Sequence, residues 1–110
     1  MSSDDEELRP DEFIVGEIAE SGLIAFFEQD EATGYLYLAE PDYKIRYHLH
    51  IYNRSKLTVT EDQVRVLWNS DQSRCGVYVA GKLRGVIGAN GDRYRPPMIS
   101  LDSQPVLDPQ

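Results

Sequence analysis

Val77-Tyr78-Val79-Ala80-Gly81-Lys82-Leu83-Arg84-Gly85-Val86-Ile87 is the stretch on which the fold of this chain turns. Two runs of β-branched and apolar residues flank a glycine and a lysine, the pattern of antiparallel strands joined by a tight turn. Gly81-Lys82 fits a two-residue turn with glycine at its first central position. That register sets Ala80 against Leu83, Val79 against Arg84, Tyr78 against Gly85 and Val77 against Val86. Because side chains alternate, Val77, Val79 and Val86 share one face with Arg84, and Tyr78, Ala80, Leu83 and Ile87 share the other. Both faces are apolar and both need cover, from a second sheet, a partner surface or a second copy of the chain in a homodimer built through Val77 to Ile87. Tyr78 over Gly85 fills the space of the missing side chain.

Working outward, Val64 to Asn69 and Cys75 to Ala80 read as a strand pair across the polar loop Ser70 to Arg74. Leu23 to Glu28 and Tyr35 to Ala39 read as a hairpin, whose loop Asp30-Glu31-Ala32-Thr33-Gly34 ends in a glycine suited to a left-handed position. Phe13 to Ile18 is a first strand, stopped by Glu20-Ser21-Gly22. In Lys44 to Asn53, Ile45, Tyr47, Leu49 and Ile51 alternate strictly with Arg46, His48, His50 and Tyr52, which favours a strand. Ile45, His48, Leu49 and Tyr52 also make a helical stripe, and Asp42 after Pro41 would cap a short helix near residues 42–52, giving an α+β alternative. The expected fold is mainly β, a small antiparallel sandwich or open barrel of about seven strands.

With 110 residues, 41% of them hydrophobic, the chain has material for one core. Residues 1–11 are expected to be a flexible acidic tail, residues 12–101 a single β domain and residues 102–110 a second flexible end. No apolar run approaches the length of a membrane span, and Met-Ser-Ser-Asp-Asp-Glu-Glu lacks the basic start and apolar stretch of a signal peptide, so the expectation is a cytoplasmic protein without a membrane partner. The lone Cys75 cannot form an internal disulfide and reads as a buried strand residue.

The net charge of −8 conceals a segregation: 13 of the 19 acidic residues precede Lys44, and ten of the 11 basic residues lie from Lys44 to Arg95. Such a pattern bears on partners and association rates rather than on fold. Glu28, Asp30, Glu31, Glu40 and Asp42 crowd one stretch that also holds Tyr35 and Tyr37.

Chemistry-bearing patterns are sparse. His48 and His50 sit two apart, so a strand projects both imidazoles from one face at a spacing that chelates zinc, copper or iron, with Glu40 or Asp42 as the nearest third ligand. The competing reading is a polar face flanked by Arg46 and Tyr52, and no metal or other cofactor is expected. Glu28, Asp30 and Glu31 read as ionised residues of a hairpin tip. Thr60-Glu61-Asp62-Gln63 reads as a capping box or polar turn. No Gly-x-Ser-x-Gly elbow is present, and Gly85-Val86-Ile87-Gly88-Ala89-Asn90-Gly91 lacks the lysine of a phosphate loop. Arg93-Tyr94-Arg95, with Arg46, Tyr35, Tyr37, Tyr47 and Tyr52, offers the cations and stacking rings of a single-strand nucleic-acid groove, against the repulsion of an acidic first hairpin.

The order Phe26-Phe27-Glu28-Gln29-Asp30-Glu31-Ala32-Thr33-Gly34-Tyr35-Leu36-Tyr37, then Leu49-His50-Ile51-Tyr52-Asn53, then Val64-Arg65-Val66-Leu67-Trp68-Asn69-Ser70-Asp71 resembles a small bacterial family of stand-alone domains of unknown function. The likeness spans about Phe26 to Gly81, and its more specific parts are the Trp-Asn-Ser-Asp strand end and the Glu-x-x-x-x-Thr-Gly-Tyr turn. It implies a bacterial intracellular protein.

The expected function is a non-catalytic protein-binding module of the bacterial cytoplasm, of the toxin-neutralising or immunity type, presenting an acidic, tyrosine-containing surface to a basic toxin domain. The expected contact residues are Glu28, Asp30, Glu31, Tyr35, Tyr37, Glu40 and Asp42. The alternatives are a single-stranded nucleic-acid binder using the Arg/Tyr-rich second half and a small metal-dependent enzyme using His48 and His50.

Overall fold

The computed structural model describes residues 12–94. The expected tails and residues 95–101 lie outside the described residues. Strands β1 (Phe13–Ile18), β2 (Ile24–Gln29), β3 (Thr33–Ala39) and β4 (Ile45–Asn53) form one antiparallel sheet in that order. Strands β5 (Val64–Trp68), β6 (Arg74–Val79), β7 (Lys82–Gly88) and β8 (Arg93–Tyr94) form a second, also in chain order. β1 packs on β5, β2 on β5 and β6, β3 on β6 and β7, and β4 on β7, so two meanders stack as a sandwich. Among the described residues there are eight strands, in keeping with the expected antiparallel sandwich of about seven, and the shortest, β8, has two residues. Among the described residues no helix is long and apolar enough to cross a membrane.

Residues 45–53 form a strand, and the helical alternative near 42–52 is not realised. The exposed edge of β3 decides it: Leu36 pairs with Leu49 and Leu38 with Tyr47, satisfying a ladder that a helix would have left open. Two irregularities interrupt the strict alternation of β4, leaving Ile51 and Arg46 as extra residues. They turn Tyr52 into the core, away from the polar face expected for it, and leave Ile45 exposed.

The inner faces interdigitate. Phe13, Ala25, Phe27, Leu36, Leu38 and Tyr52 of the first sheet meet Val64, Val66, Cys75, Val77, Val79 and Ile87 of the second in one buried cluster. Each large side chain so enclosed contributes roughly 1.5–3 kcal/mol. A polar residue, Gln29, is also completely buried. Its Nε2 donates to the Val59 carbonyl at 3.0 Å, and its Oε1 accepts from the Tyr52 hydroxyl at 2.5 Å. The β4–β5 connection is thereby fastened to the sheet, and burial pushes the Tyr52 phenol up to about 12.

Three details of the expected register are corrected. The β6–β7 turn is Ala80-Gly81, one residue earlier than Gly81-Lys82, with φ of 52° and 84°. Positive φ at both central positions gives the turn twist that suits a tight hairpin. Val79 therefore pairs with Lys82 and Tyr78 with Leu83; Arg84 is then the extra residue of a bulge, beyond which Val77 pairs with Gly85 and Cys75 with Ile87. As a result Ile87, not Val86, joins Val77 and Val79 in the core, while Val86 joins Tyr78 and Leu83 in a second cluster with Leu67 and Tyr94. Gly85 lies beneath the opposite sheet rather than beneath Tyr78: a Cβ there would stand 2.6 Å from Ile51 Cδ1 and 3.0 Å from Leu49 Cδ2. Gly34 is likewise a strand residue chosen for space, since a Cβ would stand 2.7 Å from Phe27 Cζ and 2.8 Å from Tyr52 Cζ.

Candidate interaction face

The pleat of the first sheet sends one set of side chains away from the core, and the register orders them into three rows. Ile14, Glu28, Tyr35 and His50 form the first, Gly16, Phe26, Tyr37 and His48 the second, Ile18, Ile24, Ala39 and Ile45 the third. Aromatic contacts knit the rows together. Phe26 stacks on Tyr37 with centroids 4.9 Å apart, Tyr37 on Tyr35 at 5.8 Å, and Tyr35 meets the edge of His50 at 5.3 Å. Such pairs add about 0.5–1.5 kcal/mol each beyond simple burial.

Toward β1 this face stays open. Ile14, Ile18 and Tyr43 are 51%, 66% and 71% exposed. Together with Gly16, Ile24 and Phe26 they line a shallow hollow of about 380 Å³, the missing side chain of Gly16 forming part of its floor. Contiguous exposed apolar surface of this kind marks an interaction site more often than a bland surface.

The expected contact residues separate into groups. Glu28, Tyr35 and Tyr37 share the open face, and burial, then Asp30 and Glu12 nearby, hold the Glu28 carboxyl above its usual range. Burial foremost, then the charge of Glu28, likewise raises the Tyr37 phenol. Asp30 builds the β2–β3 turn instead: its Oδ1 accepts from the N–H groups of Ala32 at 2.8 Å and Thr33 at 2.7 Å, which lowers its carboxyl below the usual range. Glu31 is exposed at that tip. At the other end of β3, roughly 20 Å away by strand rise, Glu40 pairs with Arg46 at 3.2 Å and Asp42 accepts from the Lys44 N–H at 3.0 Å. The acids thus rim the face at two ends rather than forming one patch.

His48 and His50 do project from one face, and their rings flank Tyr35 at 5.8 and 5.3 Å. His50 Nε2 lies 2.9 Å from Asn53 Oδ1, and the Arg93 guanidinium donates to the His48 carbonyl at 3.3 Å. Among the described residues no group of three or more His, Cys, Asp or Glu is placed to hold a metal ion. The groups considered for a nucleic-acid groove are dispersed: Tyr35 and Tyr37 lie on the open face, Tyr52 lies in the core and the Tyr47 ring lies against Gly91. Arg95 lies outside the described residues. Cys75 is fully buried, and burial pushes its thiol up to about 12.

Ile14, Ile18, Phe26 and Tyr43 were not singled out from the sequence. Phe13-Ile14-Val15-Gly16-Glu17-Ile18 carries the signal, a strand apolar on both faces. The motifs behind the family resemblance are accounted for by structure. Trp68 Nε1 donates to the Glu17 carbonyl at 3.2 Å, Asn69 Oδ1 accepts from Arg74 N–H at 3.0 Å, and Asp71 Oδ1 accepts from Ser73 N–H at 3.0 Å. The Glu20 N–H donates to Gln72 Oε1 at 2.9 Å, so the β5–β6 loop clamps the β1–β2 end of the opposite sheet.

No curated protein and no solved structure matches the chain. The model of a family described as "Uncharacterized protein conserved in bacteria (DUF2251)" matches residues 9–90, and the chain belongs to that family.

Proposed function

We propose that this protein is a non-catalytic binding module of the bacterial cytoplasm that seats a basic protein partner on the outer face of its first sheet. The observation that carries the reading is the three-row apolar and aromatic array, left open at Ile14, Ile18 and Tyr43 and ending in a hollow. Aromatic and aliphatic anchors at the centre of a patch with charges at its rim match the anatomy of protein interfaces. Charge complementarity indicates the partner's sign: residues 13–43, which supply three of the four strands of that sheet, include Glu17, Glu20, Glu28, Asp30, Glu31, Glu40 and Asp42 and contain no Lys or Arg. An acidic rim of this sort steers a basic partner and speeds encounter. Neutralisation of a basic toxin domain, as in immunity proteins, is the biological role this combination suits.

The test is affinity capture from a cytoplasmic extract of a bacterium that carries the gene, using the full chain beside Ile18→Asp, Phe26→Ser and, as an opposite-sheet control, Arg65→Gln. A protein of basic isoelectric point should be retained by the full chain and the control and lost with the first two. Glu28→Lys should slow association and flatten its salt dependence. Capture that survives Ile18→Asp and Phe26→Ser removes this face from the interface.

A further inference from the structure

β1 exposes backbone as well as side chains. The Ala19 N–H donates to the Leu23 carbonyl at 2.9 Å and closes the β1–β2 turn. Hydrogen-bonded and non-hydrogen-bonded pairs alternate along an antiparallel ladder. Counted back from Ala19 through the unbroken register, Glu17 and Val15 turn their N–H and C=O groups toward β2, whereas Ile18, Gly16 and Ile14 turn theirs away from it. Among the described residues no strand pairs on that side. Gly16 is exposed, and in a residue without a side chain that exposure is backbone. Edge strands are ordinarily blunted by bulges, Lys or Pro. β4, first-sheet neighbour of β3 alone, has two irregularities and Arg46, but β1 has no Lys, no Pro and no register shift.

We infer, on the basis of the docking reading above, that β1 takes up an extended segment of the basic partner as a fifth, antiparallel strand. That segment places a Lys or Arg next to a large apolar residue. In an added strand the residue opposite Gly16 projects on the outer side, between Ile14 and Ile18, over the slot that the missing side chain leaves. The slot is the hollow of about 380 Å³, walled also by Ile24, Phe26 and Tyr43, so it suits an aromatic or long aliphatic side chain. The next residue, opposite Glu17, projects the other way. Glu17 is exposed and residues 13–43 offer it no Lys or Arg, so a cation is its complement. A second copy fits worse, because two β1 strands side by side crowd Glu12, Glu17 and Glu20 of both chains along one seam. Main-chain bonds supply the affinity of such strand addition, and alternate side chains its specificity.

The experiment is NMR on the full chain titrated with the acetylated, amidated peptide Thr-Val-Lys-Phe-Lys-Val-Thr. Saturable binding should slow amide exchange at Ile14, Gly16 and Ile18 about tenfold or more and leave Val15 and Glu17 unchanged. Ile14→Pro deletes an outward N–H without touching the β1–β2 bonds, so it should weaken binding roughly tenfold more than Ile14→Ala does. Methylating the peptide's phenylalanine nitrogen should cost roughly tenfold as well, with the protein unaltered. Equal losses in the two Ile14 variants, or equal binding of the methylated peptide, overturn the strand pairing. So does slow exchange at Gly16 in the chain alone: if independent of concentration the chain covers its own edge, and if it grows with concentration a second copy does. Binding that Phe26→Ser abolishes, with no slowing at Gly16, overturns the pairing but leaves the docking face standing. No binding at all also overturns it, while affinity capture judges the face independently.

Discussion

The β2–β3 and β6–β7 hairpins hold equivalent central places in their sheets, yet they are closed and finished differently. A side chain shapes the first turn, where Asp30 caps two backbone N–H groups. The second is shaped by backbone alone, with Ala80 and Gly81 both at positive φ. Each hairpin carries an inward glycine pressed by the opposite layer or by its own aromatic neighbours. Their outward faces diverge: Phe26, Tyr35 and Tyr37 stay half-buried, whereas Leu83 and Val86 are sealed. Apolar content on an outer face therefore does not by itself mark an interface. The unsealed one is where a partner has room.

The widest separation between the two hairpins should come from truncating their outward side chains. Leu83→Ala is expected to cost about 3 kcal/mol and Tyr37→Ala about 1 kcal/mol, measured by denaturant unfolding. Similar costs would erase the distinction between sealed and open faces. Next come the glycines. Gly85→Ala and Gly34→Ala should each destabilise by roughly 1–3 kcal/mol through overpacking, and a neutral result would show that Ile51 or the Tyr52 ring yields freely.

The turns give smaller effects of opposite sign. Ala80→Asn should stabilise by about 1 kcal/mol, because asparagine accepts the left-handed region that alanine resists. Asp30→Ala should destabilise by about 1 kcal/mol at neutral pH by leaving the two N–H groups uncapped. The backbone N–H of Thr33, then that of Ala32, holds this carboxyl below its usual range. Its contribution is present above the unfolded value near about pH 4 and lost as pH falls through the lower folded value. The difference in stability between Asp30→Ala and the parent chain should shrink on acidification below about pH 4, while that for Ala80→Asn stays level. A constant Asp30→Ala difference down to pH 2 would remove the cap from the β2–β3 turn.

Strand identity was legible because period-two alternation and turn residues speak locally. Faces were less so, because bulges are invisible to alternation. One extra residue at Arg84 exchanged the roles of Val86 and Ile87, and another at Ile51 carried Tyr52 from an expected polar face into the core. The candidate face was half legible. Tyr35, Tyr37 and Glu28 stand out in the sequence by type and share the outer face of the first sheet, whereas Glu40 and Asp42 lie at the far end of β3, a separation that their closeness in sequence hides. Ile14 and Ile18 gain their significance from β1 standing at the sheet edge, a fact of topology that no local window contains.

The bond from Trp68 to the Glu17 carbonyl has a spectroscopic consequence. The chain holds a single tryptophan, and its indole bridges the two layers at the end where β1 meets β5. Ultraviolet-excited emission is therefore a built-in gauge of that seam. A red shift that precedes the loss of β-sheet circular dichroism would signal the layers parting at β1, whereas coincident changes would mean that the sandwich opens as one unit.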